Sequence, residues 1–548
     1  MLVFSNVFTE IAVLMAIASL FGGLALWLRQ PLIMAFIAVG IAIGPAGLSI
    51  IGPSEEVNLF AELGVALLLF IVGLKLDPHE IRAVGIVSLV TALGQILFTG
   101  SFGYLIALSL GHTPLVAFYI GVSLTFSSTI VIVKLLSDKK EIDALHSRIA
   151  VAVLIIEDIV VVLIMIALTA LSGDAQQGSL SSTLMVAIAK GSGFLLLIFL
   201  ASRYILPTVL HQAARSTELL VICAITWAIF LAALGDGLGF GQEVGAFLAG
   251  VSLASTHYRA TVGAKLVTLR DFLLLFFFID LGIHIDITYL QAELWPAILL
   301  SIFILLGKPL IVMILVGRMG YRKYTSAMAS LSLSQISEFS LILVALGVNL
   351  GHIPATVMGS ITLVGLITMG LSTYMIIYSH KIYPYLSPYL DIFQRQMKHP
   401  EETLGDLGKI DFSHIDVILF GLGRYGGSMI KYLQEQGMLV VGIDFNPEIV
   451  KFWRDRDVIA LYGDAENPEF TATLPLNKTS WVVSTIPEQD MGLNLLHVLK
   501  RSNFPGKIAL SSHSRREMVI LYQAGADLVL LPFRDAAKEA ARTLGEKL

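Results

Sequence analysis

Most of this chain is written as apolar runs close to the roughly 20 residues a helix needs to span a bilayer, separated by short polar connectors. Bounded by charges, Pro and Gly, the runs predict thirteen spans, near 7–28, 31–50, 57–76, 81–110, 113–136, 147–171, 182–206, 216–235, 240–256, 269–286, 292–317, 325–349 and 353–379. The connectors alternate in character. One set carries Arg29, Lys75, Arg82, Lys139, Lys140, Arg148, Arg203, Arg215, Arg259, Lys265, Arg270, Arg318, Arg322 and Lys323. The other set (Gly52–Asn58, Gly111–Pro114, Ser172–Ser182, Gly235–Gly239, Asp286–Glu293 and Asn349–Pro354) holds no Lys or Arg. The positive-inside rule puts the basic set in the cytoplasm, so the N-terminus is expected outside and everything after residue 380 inside. The first charge is Glu10 and the first cation Arg29; lacking a basic n-region, the first run is expected to stay as a helix rather than be cleaved.

The runs repeat themselves. Gly73-Leu-Lys75-Leu-Asp77 is echoed by Gly282-Ile-His284-Ile-Asp286, an offset of 209. The same offset relates two Ser/Thr-rich interruptions, Ser123-Leu-Thr125-Phe-Ser127-Ser128-Thr129 and Ser332-Leu-Ser334-Gln335-Ile-Ser337-Glu338-Phe339. A looser pair, Ala35–Ala38 and Ala246–Ala249, lies near offset 211. Seven spans separate the matching helices, an odd number, so the copies face opposite ways. Inverted repeats with discontinuous helices near mid-membrane mark secondary transporters. Polar Ser, Thr and Gln satisfy unwound backbone where it lines a cavity, and two crossed broken helices present half-helix ends of opposite sign. A carboxylate and a cation can share such a spot.

Charges inside spans are costly and mark function by default. The sixth span holds Glu157-Asp158 amid apolar residues, and the eleventh holds Lys308 in Leu305-Leu-Gly-Lys-Pro309. Adjacent helical residues diverge by about 100°, so the two acids can serve different partners. The expected arrangement pairs one carboxylate with Lys308 and leaves the other to hold the transported cation. Burial disfavours charge on both carboxyl and ammonium groups, so cation and proton would compete for one carboxylate. The bland competitor is a buried Glu–Lys pair that serves packing alone. Glu338, in the second interruption, reads equally as a cavity ligand or a helix-end partner.

After the last span, Pro384-Tyr-Leu-Ser-Pro388 is expected to break the helix and open a linker. The sequence then changes pattern. Asp416-Val-Ile-Leu-Phe-Gly421-Leu-Gly423-Arg424-Tyr425-Gly426 is an apolar strand running into G-x-G-x-x-G, followed by a helical segment at 428–436 and a strand ending in Asp444. That acid lies 18 residues past Gly426, near the spacing of a ribose-binding residue. Strand–helix alternation continues through Val458–Tyr462, Gly463-Asp464-Ala465, Trp481–Ser484, Lys507–Ser511 and Asp527–Leu531. The expected organisation is a membrane domain over 1–380, a linker over 381–412 and a nucleotide-binding α/β domain over 413–548. No catalytic constellation follows, so the domain reads as a sensor and the protein as no enzyme.

Composition sharpens the class. The 548 residues are 56% hydrophobic and 14% charged, with mean hydropathy +0.81, far from soluble norms. A single cysteine, Cys223, excludes an intramolecular disulfide framework and a cysteine metal cluster. A net charge of −5 gives no sign of nucleic-acid binding. Neither a redox cofactor nor a structural metal is expected.

These residues carry a family resemblance. The chain resembles the Kef-type monovalent cation:proton antiporters of the second cation–proton antiporter family, joined to a TrkA-type regulator-of-potassium-conductance domain. The likeness rests on Thr125-Phe-Ser-Ser-Thr129, Glu157-Asp158, Gln335-Ile-Ser-Glu338-Phe339, Gly421–Gly426, Asp444 and Gly463-Asp464-Ala465. It implies a multi-pass α-helical protein of 13 helices in the cytoplasmic membrane, a homodimer whose core moves as an elevator. It implies that Asp158 carries K+ (or Na+) and H+, in a site with Glu157, Lys308, Thr125, Ser127, Ser128, Gln335 and Glu338. It also implies a Rossmann-like tail binding AMP, NAD(H) or another adenine nucleotide at Gly421, Gly423, Arg424, Tyr425, Gly426, Asp444, Asp464 and Ala465. An ancillary regulatory protein is among its expected partners. Glu157 stands where glutathione-gated members place Gln, and His257–Leu266 replaces their acidic loop; both weigh against glutathione gating.

The alternative from another class is a nucleotide-gated potassium channel, which shares the tail domain. Such channels need T-V-G-Y-G-like filter loops, and the sequence has none. A NAD-linked membrane oxidoreductase would need haem ligands in the spans and a partner catalytic domain.

Overall fold

A computed structural model describes residues 7–45, 47–50, 54–75, 85–139, 141–142, 144–172, 192–238, 240–284, 287–393, 414–463, 465, 470–471, 474–487 and 489–546. The chain divides into two compact units: Met1–Lys139, Ile149–Leu315 and Ala329–Ile382 form the first, and Lys140–Arg148, Val316–Met328 and Tyr383–Leu548 the second.

The helices are α1 (Val7–Trp27), α2 (Leu32–Ile43), α3 (Glu55–Lys75), α4 (Gly85–Ser109), α5 (Pro114–Ser123), α6 (Thr129–Asp138), α7 (Leu145–Ser172), α8 (Ser192–Ala213), α9 (Thr217–Gly237), α10 (Gly241–Ala254), α11 (Arg259–Ile283), α12 (Ile287–Ile302), α13 (Lys308–Arg318), α14 (Lys323–Ser332), α15 (Glu338–Asn349), α16 (Thr356–Ile377) and α17 (Ser379–Leu390). Among the described residues, eight helical segments are long and apolar enough to cross a membrane, and α2, α5 and α15 are shorter apolar helices. Most are apolar on all sides, as buried or lipid-facing helices are.

Two expected spans are each split in two. The fifth becomes α5 and α6, broken at residues 124–128; the twelfth becomes α14 and α15, broken at 333–337. Ser128 caps α6 by accepting from the Val131 N–H, and Ser337 caps α15 by accepting from Phe339. The ends Ser123 and Ser332, the caps, and the starts Thr129 and Glu338 all fall at the offset of 209 seen in the sequence. The tenth span differs from expectation: α11 starts at Arg259 rather than 269, so Arg270 lies mid-helix and is buried. Pro384 and Pro388 also fall inside α17 rather than ending it. Four residues apart, they share one face, so the missing N–H groups lie along a single stripe.

Glycines interlock the two halves of the first unit. A Cβ at Gly250 of α10 would strike the Phe70 carbonyl of α3, and one at Gly73 would strike the Phe247 carbonyl. A Cβ at Gly282 of α11 would strike the Ile37 carbonyl of α2, and one at Gly40 would strike the Ile279 carbonyl. Each crossing joins a helix of one copy to a helix of the other at backbone distance, the packing small residues permit in membranes. The main core of this unit runs through Tyr119, Phe126, Val161, Phe278, Leu300 and Phe339.

The second unit holds a six-stranded parallel sheet: β1 (Ile415–Phe420), β2 (Val440–Asp444), β3 (Ile459–Tyr462), β4 (Thr479–Ser484), β5 (Lys507–Ser511) and β6 (Leu528–Leu530). Its order is β3-β2-β1-β4-β5-β6, the doubly wound arrangement with a switch point between β1 and β4. Helices α18 (Arg424–Glu435), α19 (Pro447–Arg454), α20 (Gln489–Arg501), α21 (Arg515–Ala524) and α22 (Pro532–Glu546) complete it. Cores on the two faces centre on Ile418, Phe420 and Leu495, and on Leu419, Ile430 and Trp453.

The crossings make a prediction. Gly250→Ala should destabilise by about 1–3 kcal/mol, the usual cost of overpacking, whereas Gly359→Ala, with open space where its Cβ would stand, should not. Thermal unfolding of the detergent-purified variants decides; equal midpoints would mean the close approach at Gly250 relaxes freely.

Candidate functional site

The first candidate site lies in the first unit, where the two interruptions meet. Residues 124–128 and 333–337 have left the helix, so their backbone groups need partners inside an apolar body. Side chains supply them. The Ser127 N–H donates to Glu157 Oε2 at 2.7 Å. Gln95 of α4 donates its amide both to the Thr125 carbonyl at 2.7 Å and to Glu157 Oε1 at 2.5 Å. Thr99 in turn donates to Gln95 Oε1 at 3.2 Å. In the other interruption the Ile336 N–H donates to Thr368 Oγ1 of α16 at 3.4 Å.

Ser127 is the joint between the two segments. Its hydroxyl accepts from Lys308 Nζ at 2.7 Å and donates to the Leu333 carbonyl at 3.3 Å. Lys308 also donates to the Gln335 carbonyl at 3.3 Å. Lys308 and Glu157 are therefore linked through Ser127, which takes a proton donor from one and gives its backbone N–H to the other. Lys308 opens α13 directly after a single π-helical turn, Phe303–Gly307. Such turns reset the helical phase and recur at functional sites. The residue is fully buried, as are Ser127, Ser128 and Gln335, with Thr125, Glu157 and Glu338 almost so.

Asp158 differs from its neighbour. It is only half-buried, and Thr129 Oγ1, at the first residue of α6, donates to its Oδ2 at 3.0 Å. It therefore stands beside the first interruption rather than on a lipid-facing stripe. Glu338 opens α15, accepts from the Ser337 hydroxyl at 3.3 Å and has the Ser128 hydroxyl facing it. Gln335 Oε1 accepts from Ser372 at 2.6 Å, and its Nε2 is buried with no partner among the described residues. The Thr125 hydroxyl turns back to the Val122 carbonyl, so this residue offers the site its backbone.

Sequence reasoning passed over Gln95, Thr99, Thr368 and Ser372. Gln95 had a legible signal, a lone amide in the apolar run Gly94-Gln-Ile-Leu-Phe98. The three hydroxyls do not stand out, because Ser and Thr inside helices commonly bond back to their own turn, as Thr368 and Ser372 also do here.

The second candidate site lies at the carboxyl ends of β1 and β2. Gly421 has φ of 87°, a left-handed conformation that favours glycine. A Cβ there would press on Thr485 Oγ1 at 2.8 Å, and one at Gly426 would strike the Gly421 carbonyl. At Gly423 a Cβ would meet open space. Gly423 also caps α18 with no side chain, leaving that helix N-terminus accessible to an anion. Asp444 holds the turn from beneath: its Oδ2 accepts from the Leu422 N–H at 2.7 Å and its Oδ1 from the Asn446 N–H at 2.8 Å. Trp453 Nε1 donates to the Leu422 carbonyl and Thr485 to the Gly421 carbonyl, completing a rigid cradle. Arg424 is exposed at the start of α18. Burial and the nearby Asp535 push the Tyr425 phenol up from its ordinary value. Ala465 is packed into the sheet core; Asp464 lies outside the described residues.

Each of the two regions matches known proteins. A family model described as sodium/hydrogen exchanger, transmembrane, matches residues 13–377, and one described as TrkA-N domain matches residues 417–532. The chain is 26% identical to the putative cation/proton antiporter YbaL of Escherichia coli K12, over 97% of this chain and 96% of that protein. It is 27% identical to the glutathione-regulated potassium-efflux system protein KefC of Escherichia fergusonii, over 98% of this chain and 84% of that protein. The sodium proton antiporter MjNhaP1 of Methanocaldococcus jannaschii aligns over 70% of this chain and 97% of its own, at 19% identity and a TM-score of 0.48. The exchanger model spans most of the 548 residues, and the chain belongs to the transmembrane sodium/hydrogen exchanger family, with a TrkA-N domain after its membrane region.

Proposed function

We propose that the protein is a secondary antiporter that exchanges a monovalent cation, K+ in preference to Na+, for H+, with Asp158 as the residue that carries each in turn. The observation that supports this most directly is the contrast between adjacent acids. Both oxygens of Glu157 accept N–H donors from Gln95 and Ser127, so it serves as a fixed charge opposite Lys308. Asp158 is the less enclosed acid beside the interruption and meets a hydroxyl donor, which suits it to exchange its occupant. Coupling then follows from solvation. Moving a bare carboxylate through an apolar interior costs several kcal/mol, so the site crosses only when a proton or a cation neutralises it. K+ is favoured because the KefC relative is named for potassium efflux. The basic connectors support an orientation with the TrkA-N domain in the cytoplasm, and the family resemblance supports a homodimer in the cytoplasmic membrane.

The same reading makes the TrkA-N domain a sensor of an adenine nucleotide, AMP or NAD(H), with phosphate on the open α18 N-terminus and ribose on Asp444. The bare Gly423 and the position of the Asp444 carboxylate beneath the glycine turn support this.

Two predictions follow from these roles. In proteoliposomes with a pH-sensitive dye, added K+ should collapse an imposed proton gradient, and Asp158→Asn should reduce that exchange to background while remaining monodisperse. Normal exchange in the variant would remove Asp158 from its role. Calorimetry on the full-length protein with AMP, ATP and NADH should find at least one ligand, and Asp444→Asn should weaken it about tenfold or more, as loss of a charged hydrogen bond does. Heat from none of the three would end the sensing assignment.

A further inference from the structure

Two short stretches of the membrane-region sequence belong to the second unit, with the nucleotide domain: Lys140–Arg148 and Val316–Met328. Neither is an arbitrary stretch. The first runs from the end of α6 into α7, which carries Glu157 and Asp158 about 18 Å along the helix from Leu145. The second joins α13, which begins with Lys308, to α14, which ends at the second interruption. Helices α7 and α13, which carry Glu157, Asp158 and Lys308, and α14, which leads to the second interruption, thus each run at one end into a connector of the nucleotide-domain unit.

The contact of the second connector is specific. Arg322 is about 5% exposed, which is rare for an arginine on a connector. Its guanidinium stands over the Phe470 ring at 5.6 Å from the centroid, within cation–π range. Phe470 fills the space where a side chain at Gly463 would otherwise stand. The Gly463 N–H donates to the carbonyl of Asp444 at 3.0 Å. A short path of direct contacts therefore runs from the ribose-side acid through Gly463 and Phe470 to Arg322. The first connector is stitched in beside it: Leu145 packs on the cluster of Leu422, Trp453 and Val440. His146 meets Tyr324 edge-on at 6.5 Å, and Tyr324 meets Tyr383 at 5.1 Å.

We propose that the face of the nucleotide domain formed by Phe470 at the carboxyl end of β3 is a docking surface for the α13–α14 connector, and that the Arg322–Phe470 contact transmits nucleotide occupancy to the exchange site. The inference rests on the nucleotide-regulated antiport reading and adds the route. An occupant held by Asp444 bears on the β2–β3 edge, where Gly463 leaves no side chain between it and the Phe470 ring. Movement of that ring alters the seat of Arg322, and with it the connector whose two ends lead to Lys308 and to Gln335–Glu338. Arg322 lies outside the exchange site and the glycine turn described above, so it acts as a positioning residue.

The test compares the full-length native protein with Arg322→Ala and Arg322→Lys in proteoliposomes, measuring K+/H+ exchange with and without AMP and NADH. Native exchange should change about fivefold or more with at least one nucleotide, the usual scale of allosteric coupling. Arg322→Ala should lose that response while basal exchange stays within about twofold and calorimetric affinity within about threefold; Arg322→Lys, which keeps the cation, should retain part of it. A native-sized response in Arg322→Ala overturns the proposal, and so does a parallel loss of affinity, which would make Arg322 a ligand contact. Absence of any nucleotide effect on the native protein would overturn the regulatory reading and this route together, while leaving Asp158-dependent antiport standing. Should the alanine variant fail to fold, hydrogen exchange on the native protein decides: protection of residues 316–328 should change when nucleotide is added, and no change overturns the route.

Discussion

The membrane unit depends on one constraint: backbone that leaves a helix inside an apolar body must find partners there, because no solvent supplies them. Ten residues, 124–128 and 333–337, are in that position. The chain meets the demand with groups that also carry the chemistry. Glu157 takes the Ser127 N–H, Gln95 takes the Thr125 carbonyl, and Lys308 takes the Gln335 carbonyl. The charged residues are thus not additions to a finished scaffold. Removing one partner would leave both an unpaired charge and an unpaired peptide group, the combination that buried networks tolerate least.

The glycine crossings hold the two copies together elsewhere in the unit. Gly73 on Gly250 and Gly40 on Gly282 bring α3 against α10 and α2 against α11 at backbone contact, each crossing pairing one copy with the other. Packing at that distance fixes helix positions more tightly than interdigitated long side chains would, and lipid offers no competing hydrophobic drive. The caps Ser128 and Ser337 then set where α6 and α15 resume.

Much of this was readable in the sequence. The 209-residue offset located both interruptions to within a residue or two, since a Ser-rich break in an apolar run has few structural meanings. Glu157, Asp158 and Lys308 stood out because charge in a span is costly. Gly421–Gly426 and Asp444 stood out because their spacing is set by a tight turn and a ribose. What stayed hidden was of another kind. The start of α11 at Arg259 was missed because Lys265, Arg270 and Asp271 interrupt its hydropathy, yet a helix can bury Arg270 beside Asp271, 2.6 Å away. The helix through Pro384 and Pro388 was missed because proline is read one residue at a time. Gln95 was missed because an uncharged amide carries no penalty large enough to flag it. Each miss involves a group whose meaning is set by a partner far away in the chain.

The two acids at 157 and 158 show why such partners matter for mechanism. On sequence alone either could be the carrier, since both sit in one apolar run a residue apart. Their surroundings separate them. Glu157 faces α4 and the first interruption, where Gln95 and the Ser127 N–H occupy both oxygens and Ser127 relays it to Lys308. A cation arriving there would have to displace donors that point the wrong way for a metal, because N–H groups repel it. Asp158, turned about 100° around the helix, receives a hydroxyl from Thr129, and a hydroxyl can rotate to offer its lone pairs to a cation or its hydrogen to a carboxylate. That reversibility is what an exchanger needs from its ligands: the same atoms must accommodate a proton-bearing acid and a metal-bound carboxylate without moving the helix. On the proposed reading, the donors around one acid fix its charge and the hydroxyl beside the other lets its occupant change, so the division of labour follows from the kind of polar atom each one meets.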